Sequence, residues 1–149
     1  MALGDELVLL RVVDDFRLDG YSVARVADVK ALRSNEYERF VERVLKDRGL
    51  WDDVGRTAPV PVDDWTSVLA ALRAAGAIAI IECEAAPVEE FYIGKVCAIP
   101  DGVAEILEFT ATAEWDEEPS DIALAEITRV RFLDGYSTAF LPYLSEPPW

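Results

Sequence analysis

The chain has 149 residues, with 29 Asp plus Glu against 14 Lys plus Arg, two cysteines and no histidine. That length suits one ordinary domain or two very small ones, and four Trp, five Tyr and six Phe supply enough apolar surface for a core, which excludes global disorder. The absence of histidine removes His-based triads, imidazole acid–base chemistry and most zinc sites. No apolar run approaches the roughly 20 residues of a membrane helix. The short run 7–10 follows Asp5 and Glu6 where an export signal needs positive charge, so a cytoplasmic protein is expected.

The net charge of −15 is unevenly spread. Residues 1–57 carry 10 basic and 12 acidic side chains, net −2, whereas residues 58–149 carry 4 and 17, net −13. An acidic second half repels phosphate backbones, so nucleic acid is not expected as its partner and a basic protein is. The plainer reading of the same charge is solubility.

In chain order, residues 7–13 (LVLLRVV) have strand composition, Asp19-Gly20 supplies a hairpin turn and residues 21–26 resume the strand. A third strand is expected at 29–33. The period then becomes helical: Asn35 or Ser34 caps, Glu38 completes a capping box, Tyr37, Phe40, Val41, Val44 and Leu45 form the apolar stripe, and Gly49 ends the helix. Residues 50–62, with Pro59 and Pro61, read as an irregular linker between segments 1–57 and 58–149, which together form one unit. A second helix starts at Asp63 or Asp64, buries Trp65, Val68, Leu69 and Leu72, and stops at Gly76. Strands are expected at 77–84, 91–99, 103–112, 121–125 and 128–132. A loop at 85–90 joins the first two, and Pro100-Asp101-Gly102 forms a tight turn. Gly94, inside a strand, marks a bend or close backbone approach. If the first two strands pair, Cys83 falls near Tyr92 rather than Cys97, so two free thiols are expected.

A helix followed by five short strands resembles the Sm-like barrel, a relative of SH3-like barrels. The fold class is therefore α+β, mainly antiparallel β: a closed or nearly closed Sm-like or SH3-like small barrel, preceded by a three-stranded segment and two helices. RNA-binding Sm-like proteins pair Asp with Asn in one loop and carry Arg-Gly in another. Pro100-Asp101-Gly102-Val103 lacks that Asn and residues 131–135 (RFLDG) lack the Arg-Gly step, so RNA binding is not implied. Residues 13–21 (VDDFRLDGY), 91–96 (FYIGKV) and 126–132 (EITRVRF) before Tyr136 also resemble a widespread, uncharacterised bacterial protein family, which implies no activity. Two internal repeats compete. One, offset by 98 residues, lays the first three strands on the last three; the other matches residues 18–24 (LDGYSVA) to 133–139 (LDGYSTA) at six of seven positions. The first, which keeps strand order, is preferred.

No phosphate loop, dinucleotide fingerprint or nucleophile elbow is present. The acidic groups Asp14-Asp15, Asp52-Asp53, Asp63-Asp64 and Asp116-Glu117-Glu118 lack the ligand spacing of a calcium loop, so neither a metal nor another cofactor is expected. Of Trp51, Trp65, Trp115 and Trp149, Trp115 draws attention because it leads an acidic stretch. Trp115, Asp116, Glu117 and Glu118 are the candidate contacts for a basic partner, against the plainer alternative of a Trp packed on a barrel end. The expected function is a non-catalytic interaction module, of which an immunity-type inhibitor or nucleic-acid mimic is the sharper form. The alternatives are a carboxylate-based or metal-dependent enzyme and an Sm-like RNA-binding protein.

Overall fold

A computed structural model describes residues 1–56, 58, 60–84 and 90–148. Among the described residues eight strands form one antiparallel sheet: β1 (Ala2–Leu3), β2 (Leu7–Asp14), β3 (Arg17–Arg25), β4 (Ile78–Cys83), β5 (Glu90–Ala98), β6 (Val103–Glu108), β7 (Ser120–Ala123) and β8 (Arg129–Phe132). Their order is β1-β2-β3-β8-β4-β5-β6-β7. The described residues also form four α-helices: α1 (Glu36–Asp47), α2 (Trp51–Val54), α3 (Trp65–Ala74) and α4 (Gly135–Phe140).

Two apolar clusters lie on opposite faces of β4, and its sequence, IAIIEC, shows why. Ala79, Ile81 and Cys83 join the larger cluster, where Trp65, Val68, Leu69 and Leu72 of α3 meet Val23, Val96, Ile106, Ile122 and Phe132. Ile78 and Ile80 point the other way, onto Ile93 and Phe109, with Phe140 and Leu144 of the C-terminal segment packed against them. A strand covered on both faces reads as a continuous apolar run, not as an alternation. Gly94 of β5 is a genuine close approach, since a Cβ there would lie 2.0 Å from the Leu107 carbonyl oxygen.

The barrel does not close by pairing β7 to β8. A strand has two hydrogen-bonding edges, and those of β8 are occupied by β3 and β4. The pairing of β3 with β8 also fuses the strands of segment 1–57 with those of 58–149 into a single sheet. The strand expected at 29–33 does not form, and β3, which it would follow, already lies between β2 and β8 with no edge left to receive it. Val26–Asp28 instead forms one 3-10 turn, and Val29 and Leu32 beyond it are exposed. The 98-residue repeat therefore loses its third strand.

The first hairpin turns at Asp15 and Phe16, both at positive φ (43° and 60°), rather than at Asp19-Gly20. Gly20 (φ 72°) instead serves a bulge, where the β2–β3 register shifts between Arg11 and Val13. Asp101 and Gly102 do make the turn expected of them, with φ of 43° and 84°. In the 50–62 segment α2 forms where irregular chain is expected, while Thr57 and Pro59 lie outside the described residues, as do 85–89 of the β4–β5 connection and Trp149. Cys83 faces Glu90 across that hairpin, two positions from the expected Tyr92, and both cysteines are free.

α1 begins with the expected capping box: the Asn35 side chain accepts from Tyr37 N (2.8 Å) and Glu38 Oε2 accepts from Asn35 N (2.9 Å). That Asn35 N–H holds the Glu38 carboxyl below its usual range. A lowered carboxyl favours the folded chain above the ordinary carboxylate pKa, and the contribution is lost as pH falls through the lowered value. Acid titration should shift the Asn35 amide resonance below the ordinary glutamate range; a midpoint at the usual glutamate value would contradict the cap.

Candidate functional site

The structure separates the four residues of the acidic stretch. Trp115 bridges to Phe109 and sets its ring edge-on to it, 5.6 Å between centroids. Its Nε1 donates to the Ser145 carbonyl (3.0 Å), so the indole ties the C-terminal segment onto the smaller cluster. Lys95 Nζ lies 5.7 Å from the same ring. Asp116, Glu117 and Glu118 are exposed beyond it. Of the other tryptophans described, Trp65 is buried in the larger cluster and Trp51 is exposed beneath Lys46 Nζ, 4.8 Å from its ring.

The acidic stretch continues into the end of the sheet. Among the described residues β7 pairs only with β6, and the register sets Asp121 directly opposite Glu105. Both side chains stand on the face away from the larger cluster, because their neighbours Ala104, Ile106 and Ile122 are buried in it. Like charges facing each other across an antiparallel pair destabilise it. Burial of Ile122 and a hydrogen bond from Ser120 Oγ to Glu108 Oε1 (2.7 Å) hold β7 in place.

Residues 101–126 hold nine carboxylates (Asp101, Glu105, Glu108, Glu114, Asp116, Glu117, Glu118, Asp121 and Glu126) and no Lys or Arg. Among the described residues no ion pair within 4.0 Å engages any of the nine. Sequence reasoning found 116–118 but missed Glu105 and Asp121. Their juxtaposition depends on a β6–β7 register set across the long connection 109–119, which carries no short-turn signal.

The remaining acidic groups have local structural work. Asp64 caps α3 by accepting from Ser67 N (2.7 Å), Asp14 and Asp15 sit at the first hairpin tip, and Asp53 pairs with Arg56 (2.8 Å). Asp134, wholly buried, caps α4: its carboxylate accepts from Ser137 N (2.9 Å) and Ser137 Oγ (2.6 Å). Among the described residues no group of three or more Cys, Asp or Glu is arranged to hold a metal. No described helix is long and apolar enough to cross a membrane.

Burial pushes both thiols up from their ordinary pKa, and at Cys83 the nearby Glu126 and Glu90 add to it. The thiolate is the reactive form. In the folded chain at pH 8, Cys97, which is partly exposed, should react slowly with Ellman's reagent and Cys83 only after denaturation. Rapid release of two equivalents from the native protein would contradict this. The Tyr92 hydroxyl is likewise pushed up, first by its hydrogen bond to Glu90.

No protein-family model matches the chain, and neither a curated protein nor a solved structure matches it either.

Proposed function

We propose that the chain is a non-catalytic protein-interaction module whose acidic margin, residues 101–126, receives a basic protein segment. The observation that carries this reading is the facing pair of Glu105 on β6 and Asp121 on the terminal strand β7, continuous with Asp116, Glu117 and Glu118 and, among the described residues, without a basic counterpart within ion-pair distance. An arrangement that costs the isolated chain stability is relieved when a partner places Lys or Arg beside it. Trp115 contributes by fixing the base of the acidic loop on Phe109, while the acids make the contact. An immunity-type inhibitor or a nucleic-acid mimic presents this kind of surface.

The same proposal takes β4 to β8 as a nearly closed small barrel of the Sm-like or SH3-like kind. β4-β5-β6-β7 is a meander and β8 returns to pair with β4, which is the strand order of such a barrel, open between β7 and β8 because β3 occupies the other edge of β8. Likeness to the bacterial family belongs to this proposal too and brings no activity with it.

The test is capture by the tagged chain from its native lysate, divided between low and high salt and between ribonuclease-treated and untreated samples. A near-stoichiometric basic protein released by high salt is expected, because exposed charges are screened beyond about 10 Å at 0.1 M salt. Salt-independent capture, or recovery of a specific RNA instead, would overturn the reading.

A further inference from the structure

Within the acidic second half, β8 holds two of the four basic side chains, Arg129 and Arg131. Both leave the sheet on the face opposite the larger cluster, since Val130 and Phe132 point into it. Arg129 is committed, paired to Glu82 and to Glu84 (2.7 Å). Arg131 is held more loosely: its ion pair with Asp19 Oδ2 is 3.7 Å long, beyond hydrogen-bond distance, and the other oxygen of that carboxylate accepts from Gly135 N (2.7 Å).

The register then supplies a second polar group. Ser22 lies directly opposite Arg131 on β3 and directly opposite Leu10 on β2, so Leu10, Ser22 and Arg131 form a row across three strands on one face. Ser22 is 7% exposed, and its hydroxyl, hydrogen-bonded to no described residue, is open to the cleft rather than enclosed. Leu10, Val12 and Val13 complete an apolar wall of the same cleft, which has a volume of about 510 Å³. That volume lies within the range of small-molecule sites.

We propose that this cleft binds a carboxylate carried on an aliphatic body, with the Arg131 guanidinium as its bidentate partner, Ser22 Oγ as a third donor, and the Leu10 and Val12 wall against the aliphatic part. A planar guanidinium fork matches the two oxygens of one carboxylate, and such charge-assisted pairs are the stronger hydrogen bonds. Asp14 and Asp19 also line the cleft, and their negative charges oppose a dianion more strongly than a single carboxylate, which favours a monocarboxylate over a phosphate. Two sources offer this chemistry: a free small carboxylic acid and the C-terminus of a partner peptide.

The experiment is a titration of isotope-labelled protein with N-acetyl-leucine, with its uncharged amide, and with an acetylated tetrapeptide ending in leucine with a free C-terminus. Amide shifts are followed across β2, β3 and β8. Saturable shifts at Leu10, Ser22 and Arg131 are expected with one or both acids and not with the amide. Tighter binding of the tetrapeptide assigns the cleft to a peptide terminus, whereas binding of acetyl-leucine alone assigns it to a small acid. Arg131→Gln should weaken binding about tenfold or more and Arg131→Lys by less, because lysine keeps the charge and loses the fork. Ser22→Ala gives an independent, smaller loss should the arginine variants fail to fold. Equal binding of acid and amide, shifts located elsewhere, or no saturable binding of either acid would overturn the proposal.

Discussion

Gly94→Ala is expected to destabilise the chain by about 4 kcal/mol, near the upper end of single-substitution effects. Taken from the backbone entropy alone, alanine in a strand is favoured over glycine by roughly 0.5–1 kcal/mol. Sterics decide otherwise. The three atoms nearest to a Cβ at 94 are all backbone: Leu107 O at 2.0 Å, Leu107 C at 2.7 Å and Glu108 Cα at 2.9 Å. No rotamer change relieves such a contact, so β5 and β6 must separate where Val96 and Ile106 meet the larger cluster. A loss of this size lowers the melting temperature of a chain this long by about 10 °C. The control is Gly76→Ala. Nothing lies within 4 Å of a Cβ there, and only its positive φ of 62° opposes alanine, at a cost of about 1–2 kcal/mol. Thermal melts of the two variants side by side check the account, and equal losses would contradict it.

The contrast between α3 and α1 shows what the sequence could convey. Both helices were legible from their caps and apolar spacing, and Asn35 and Asp64 cap them as expected. Burial was legible for α3 alone, whose Trp65, Val68, Leu69 and Leu72 all reach the core. Of the α1 stripe only Leu45 is buried, and Tyr37 and Phe40 meet Phe16 at the hairpin tip while staying exposed. Spacing specifies a face; it does not specify what that face meets.

The paired heptads make the same point more sharply. Residues 18–24 and 133–139 share six of seven residues, yet the first lies in β3 and the second begins with Leu133 at φ 55° and enters α4. In β3 the segment has strand partners on both sides, and Tyr21 stacks on Phe132 at 5.5 Å. The second copy leaves the end of β8, where local hydrogen bonds decide. Asp134 then caps through Ser137, and Thr138 Oγ1 donates to the Asp134 carbonyl (2.7 Å). Tertiary context, invisible in a heptad, selects between the two.

The candidate site was legible to the same extent. The exposed run 116–118 could be read directly, whereas Glu105 and Asp121 become neighbours only through strand register. Their effect on stability and binding is the second large prediction. Asp121→Asn with Glu105→Gln should stabilise the isolated chain by about 0.2–1 kcal/mol, because the repulsion across β6–β7 disappears. The same double variant should lose most of its capture of a basic partner, since the charges that the partner neutralises are gone. Opposite signs for stability and binding distinguish a surface kept for recognition from one that only aids solubility. A variant that is less stable, or that captures its partner undiminished, would contradict the role given to this pair.

Hydrogen–deuterium exchange of the chain alone and in complex with the basic protein it captures tests the central claim most directly. The account predicts new protection concentrated in residues 114–123, on β7 and the acidic loop before it. Protection confined to α1 or to the C-terminal segment, with β7 exchanging as in the free chain, would contradict it.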